Sequence, residues 1–125
     1  MPVSDVTVTV TDLRKVRGNI NACITSDKKA FPDCGKHSGQ LVVKVQGKSA
    51  TFTFKDVPAG TYGISVLHDE NGNGKIDTAL GMMPKEGYGF SRDAKVRLGP
   101  PKFKDAAVSI GGKPSSHTIR MRYML

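Results

Sequence analysis

The stretch VTVTVT at residues 6–11 sets a β-branched apolar side chain at every second position, and much of the remaining chain keeps that period. Strict alternation predicts a strand with one buried face, because successive side chains of an extended chain point to opposite sides. Ile20, Ala22 and Ile24 repeat the pattern, as do Leu41, Val43 and Val45, then Ala50, Phe52 and Phe54, then Tyr62, Ile64, Val66 and His68. Ala106, Val108 and Ile110 follow after a gap, and Ile119, Met121 and Tyr123 close the series. Helical periodicity is nowhere sustained. About seven short strands with turn residues between most of them predict an all-β chain, a single-domain antiparallel β-sandwich. QGKS at 46–49 is expected to make a hairpin between the third and fourth strands, and DVPAG at 56–60 a tight turn before the fifth.

Residues 69 to about 104 break the alternation. Compact domains rarely hold a structureless connection longer than ~15 residues unless it binds something or is disordered. Disorder fits poorly, since the segment carries Leu80, Met82, Met83, Tyr88, Phe90, Leu98 and Phe103. A long, folded, irregular loop is expected, with room for a short helix within 91–97. Without ladder hydrogen bonds, such a lobe needs an anchor.

HDENGNGKID at 68–77 supplies a candidate. Calcium takes six to eight oxygen ligands at ~2.3–2.6 Å, and alternate residues of a tight loop can converge on it. Asp69, Asn71 and Asn73 would offer side-chain oxygens, Gly74 the sharp turn, Lys75 its backbone carbonyl and Asp77 a carboxylate. The twelfth position, where an EF-hand places a bidentate Glu, is Leu80, and no flanking helices are indicated. The shell would be completed from elsewhere, Glu86 being nearest in sequence and Asp93 another choice. With few carboxylates, affinity is expected in the weak range of extracellular modules, on the order of 10⁻⁴–10⁻³ M. Asn-Gly turn chemistry without metal gives the same residues. Calcium is the reading adopted because several positions match at once.

His68 precedes the acidic loop, and packing at the sandwich rim is the simpler role for it. A general base or a soft-metal ligand is the alternative, with Met82, Met83, Met121, His37 and His117 as further copper donors, though no spacing among them is diagnostic. No GxSxG nucleophile elbow is present, and GYGF at 87–90 and GPP at 99–101 lack the features of phosphate loops. The net charge is +8, but the lysines are scattered rather than gathered on a helix or an aromatic strand, so nucleic acid is not the expected partner. No run reaches the ~20 apolar residues of a membrane span.

Cys23 alternates with the inward residues of its strand, so it should lie on the outer face, partly exposed. A bridge to Cys34 is the reading preferred over two separate buried thiols, and implies an oxidising compartment. MPVSDVTVTV has neither a basic start nor an apolar run, so a periplasmic or secreted chain would be met here in mature form; a cytosolic one is the other possibility.

FKDVPAGTYGISVLHDENGNGKIDTALGMMPKEGYGFS, followed by GPPKFKDAAVSI, resembles a family of exported bacterial proteins known as a domain of unknown function. The likeness spans residues 52–110, and FPDC at 31–34 fits members with a cysteine pair. It implies a transthyretin-, Cna-B- or Ig-like sandwich, and secretion to the periplasm or cell surface. The hydroxyisourate hydrolase branch of the transthyretin fold would need a YRGS-like tail, whereas this chain ends IRMRYML. The expectation is a non-catalytic exported module with a calcium-stabilised loop. That loop would present Tyr88, Phe90, Arg92, Lys95 and Arg97, beside His68, to a polyanionic or carbohydrate ligand of the cell envelope.

Overall fold

The computed structural model describes residues 3–29, 31, 38–69, 78–79, 83–84, 87–94 and 102–123. In the first strand, β1 (Val3–Thr11), Val6, Val8 and Val10 are fully buried, as the alternation demands. The intervening threonines meet those of β4 (Ala50–Pro58) across the outer face, Thr7 to Thr53 at 3.1 Å and Thr9 to Thr51 at 3.2 Å between hydroxyls. β1 is the middle of a three-stranded sheet, antiparallel to β4 and parallel to β10 (Ser115–Arg120). The second sheet runs β3 (Ser38–Lys44), β2 (Asn19–Thr25), β5 (Gly60–Asp69), β8 (Gly87–Phe90), with β9 (Val108–Ile110) on the other end of β5. β6 (Thr78–Ala79) and β7 (Met83–Pro84) form a separate two-residue ladder.

The two sheets pack face to face, as the all-β reading anticipated. Val6, Val8, Val10, Phe52, Phe54 and Ile119 of one sheet meet Ile20, Ala22, Ile24, Ile64 and Val66 of the other in one apolar cluster. Three expectations need correction. The β1–β10 pair is parallel, which the short turns did not suggest; parallel neighbours need a long crossover, and here most of the chain supplies it. QGKS is not a hairpin, since β3 pairs with β2 and β4 with β1, in different sheets. It is a crossing, tied to the 12–18 connection by Leu13 N–H to Lys48 O at 3.0 Å and Val45 N–H to Gly18 O at 3.1 Å. Alternation fixes which face of a strand is buried but not which strand lies beside it. Ala106, placed in a strand by its parity, ends the short helix α1 (Phe103–Ala106).

The outer faces of the two sheets differ. The three-stranded sheet shows its threonines, whereas the β5–β8 half of the other sheet is covered by a second cluster of Phe31, Tyr88, Phe90, Ala94, Phe103 and Ala106. Phe31 lies edge-on to both Phe90 (5.9 Å between centroids) and Phe103 (5.8 Å). The rings settle on Gly63 of β5, where an added Cβ would fall 2.7 Å from the Phe31 ring. On the same face Cys23 is 8% exposed rather than partly open, and Ser65, its neighbour in register, is buried as well.

The lobe contributes β8 to the sheet, a strand its glycines disguise, because glycine weakens the strand signal. Gly89 is there for space. A Cβ would come within 2.6 Å of Ile119 Cγ2 and 3.2 Å of the Arg120 carbonyl oxygen. Gly89→Ala is therefore expected to cost about 1–3 kcal/mol of stability as overpacking, measured by urea unfolding. An unchanged midpoint would show that β8 is not held this closely. Past Phe90 the ladder gives way to Ser91, whose buried hydroxyl accepts the Ile64 N–H at 3.0 Å and donates to the Ala106 carbonyl.

Candidate functional site

β5 carries the alternation Tyr62, Ile64, Val66, His68 into the core, and the last of these is a polar ring that is fully buried. A buried imidazole must find partners for its nitrogens. Nε2 lies 2.9 Å from the Arg17 carbonyl oxygen, which can only accept, so the proton sits on Nε2. Nδ1 then accepts from the Tyr123 hydroxyl at 2.8 Å, and that oxygen in turn accepts the Arg14 N–H at 3.1 Å. The Arg14 guanidinium caps the tyrosine ring at 4.5 Å from its centroid, a cation–π contact. One chain of hydrogen bonds thus joins the 12–18 connection, β5 and the residues after β10.

Both ring nitrogens of His68 are engaged. As a metal ligand or general base it would have to surrender one of these bonds, so the geometry favours the packing role. Met121 is buried in the main core. His117 stands on β10 of the other sheet, its Nε2 3.2 Å from Ser115 Oγ, and burial lowers its pKa. His37 and Met82, and the Met83 side chain, lie outside the described residues. Among the described residues, His68, His117 and Met121 form no such set.

Asp69 ends β5 and is 3% exposed. In register it lies beside Asn19 of β2, which lies beside Lys44 of β3. Asn71, Asn73, Lys75, Asp77 and Glu86 lie outside the described residues, as do Lys95, Arg97 and Cys34. Among the described residues, no three His, Cys, Asp or Glu converge as a metal set, and there is no free cysteine. The loop's mouth is well defined. The chain leaves β5 at Asp69 and returns at Gly87, which pairs with His68.

The expected ligand surface is altered by the burial of its aromatics. Tyr88 and Phe90 are 5% and 4% exposed, because the outer face of β5 and β8 is the floor of the second core rather than open surface. Burial also raises the Tyr88 pKa, with Arg122 opposing the shift. Arg92 is exposed, at φ 60°, and its guanidinium donates to the Lys104 carbonyl at 3.4 Å. The short helix expected within 91–97 is a single 3-10 turn at Ser91–Asp93, with Arg92 and Asp93 at positive φ; residues 95–97 lie outside the described residues. Asp93, the other candidate for the calcium shell, accepts the Arg120 N–H through its Oδ1 at 3.0 Å.

The sequence reading missed Tyr123 and the Arg17 carbonyl as the partners of His68. Tyr123 carried the right parity, but no local pattern links it to a residue 55 positions away.

A family model described as an uncharacterized protein conserved in bacteria (DUF2141) matches residues 8–118. The chain belongs to this family. The match runs from β1 to β10, so the DUF2141 pattern takes in both sheets, His68, the acidic loop and the second core, while Tyr123 lies beyond it. Comparisons with curated proteins and with solved structures return no match. Among the described residues of this DUF2141 chain, no helix is long and apolar enough to cross a membrane.

Proposed function

We propose that this chain is a non-catalytic, exported binding module whose acidic loop is anchored by calcium. Asp69, Asn71, Asn73, the Lys75 carbonyl and Asp77 form the oxygen set, with Glu86 completing it. The observation that carries this reading is the loop's mouth: a carboxylate buried at the end of β5, with the returning chain held opposite the adjacent residue. The Asp69 carboxylate stands where the loop begins, and the residue types that follow it suit a hard cation. Export is supported by the weak affinity expected of the site, which fills only where calcium is abundant, and by a Cys23–Cys34 bridge. That bridge agrees with the lack of a free thiol among the described residues. The ligand class best supported is polyanionic. Arg92, Lys102 and Lys104 are exposed around the lobe, while the rings that would stack on a sugar are buried.

Melting chelator-treated protein with and without calcium tests the anchor. At ~10 mM calcium the gain is expected to be about 1.5–2.7 kcal/mol from mass action, a rise of roughly 5–10 °C for a chain of this size. Asp69→Ala and Asp77→Ala should each abolish that rise. Identical melts of the wild type in chelator and in calcium would leave the loop as metal-free turns.

A further inference from the structure

Cations that are scattered along the sequence are gathered by the fold at one end of the sandwich. Two connections cross between the sheets there, residues 12–18 from β1 to β2 and residues 45–49 from β3 to β4. They lie side by side, tied by the Leu13 N–H to the Lys48 carbonyl at 3.0 Å and by the Val45 N–H to the Gly18 carbonyl at 3.1 Å. Lys48 Nζ adds a bond to the Arg14 carbonyl at 3.0 Å. Lys44 closes β3 just before the second connection. Arg14, Lys15, Arg17, Lys44 and Lys48 therefore share this end. The described acids near it are engaged: Asp12 is ion-paired with Arg120 at 2.7 Å, Asp93 accepts the Arg120 N–H, and Asp69 is buried.

The first connection is clamped on both sides of its tip. Before the tip, Leu13 is buried in the main core, the Arg14 N–H donates to the Tyr123 hydroxyl, and the Arg14 guanidinium lies over that ring. Beyond it, the Arg17 carbonyl accepts from His68 Nε2 and the Gly18 carbonyl accepts from Val45. Lys15 and Val16, the two residues between the clamps, face solvent, and Val16 is 51% exposed. A single exposed valine is ordinary on a protein surface. This one is held in place between Lys15 and Arg17, with Lys44 and Lys48 at the same end. The buried bonds of His68 and Tyr123 thus also fix an outward feature.

We propose that this end docks on an anionic phospholipid surface, with Lys15, Arg17, Lys44 and Lys48 among the headgroups and Val16 entering the boundary of the acyl layer. The negative potential of such a surface strengthens binding by about fivefold for each Lys or Arg brought near it. An apolar side chain among the cations adds its burial, since surface binding scales with buried apolar area as well as with charge. A soluble polyanion has no apolar layer to receive Val16, and that difference selects lipid over nucleic acid. The site uses neither calcium nor the exposed cations of the lobe.

Sedimentation with vesicles tests this, in chelator so that calcium cannot bridge protein and lipid. Binding is expected to vesicles of phosphatidylglycerol and phosphatidylcholine in equal parts, and not to phosphatidylcholine alone. The double variant Lys15→Gln/Lys44→Gln should weaken it about twenty-fivefold, and Val16→Ser about threefold. Lys102→Gln/Lys104→Gln removes the same charge from the lobe and should leave binding within about twofold of the wild type. All five positions are exposed, so the variants keep the fold. No binding to the mixed vesicles overturns the proposal. Equal losses from the two double variants would reduce the attraction to net charge and overturn it likewise. A Val16→Ser protein that binds the vesicles as tightly as the wild type, with duplex DNA bound equally well, would assign this end to a soluble polyanion instead.

Discussion

Phe90→Ala is expected to lower the unfolding free energy by about 3–5 kcal/mol, since a large aromatic side chain is lost from a packed site that cannot fully collapse. Phe90 is 4% exposed, touches Phe31 edge-on and stands 5.9 Å from Tyr88, so its removal undoes the ring contacts that fasten the lobe to β5. Domains of this kind have total stabilities of roughly 5–15 kcal/mol. The variant should therefore be largely unfolded at modest urea, and proteolysis should reach the lobe first. A loss below about 1 kcal/mol would mean that the ring is dispensable to the fold. The surface role read from the sequence would then regain its standing.

That prediction turns on what the sequence could and could not say about the lobe. The main core was readable because Val6, Val8 and Val10, or Ile20, Ala22 and Ile24, announce their buried side by parity alone. Cys23 and Ser65 have the parity of an outward face, yet both are buried, on the side of the sheet that carries the second cluster. Parity identifies two sides of a strand and names only one of them as apolar; it carries no information about a later segment folding back over the other. Phe31, Phe90 and Phe103 are far apart in sequence and share no period, so their meeting on Gly63 had no local signal. Neighbour choice was hidden for a related reason. The turn residues of QGKS suit a hairpin and a crossing between sheets equally well, and only the partners of β3 and β4 decide between them.

His68→Ala should cost about 2–4 kcal/mol, combining a cavity in the core with the stranding of two polar groups. The Arg17 carbonyl and the Tyr123 hydroxyl both lose their bond to the ring. Tyr123→Phe removes only the hydroxyl and should cost about 1–2 kcal/mol. The double variant should fall short of the sum by more than 0.5 kcal/mol or so, since both changes break the same bond. Urea unfolding of the four proteins measures the cycle. Additive losses would show that the histidine and the tyrosine act separately, and a fully stable His68→Ala protein would reopen the case for a reactive imidazole. The position of His68 at the inner end of β5 was legible from its parity. Its partners come from a connection without a pattern and from Tyr123, whose parity was visible but whose meeting with His68 was not.

The parallel pairing of β1 with β10 has a consequence for how this molecule comes into being. Val6 faces Ser115, and the Arg14 N–H reaches a tyrosine hydroxyl 109 positions later. Contacts so distant in sequence are slow to form, because a long loop must close before they give anything back. β1, the middle strand of its sheet, therefore lacks one neighbour until β10 has emerged from the ribosome. Only when β10 pairs with it is the backbone of β1 bonded on both sides.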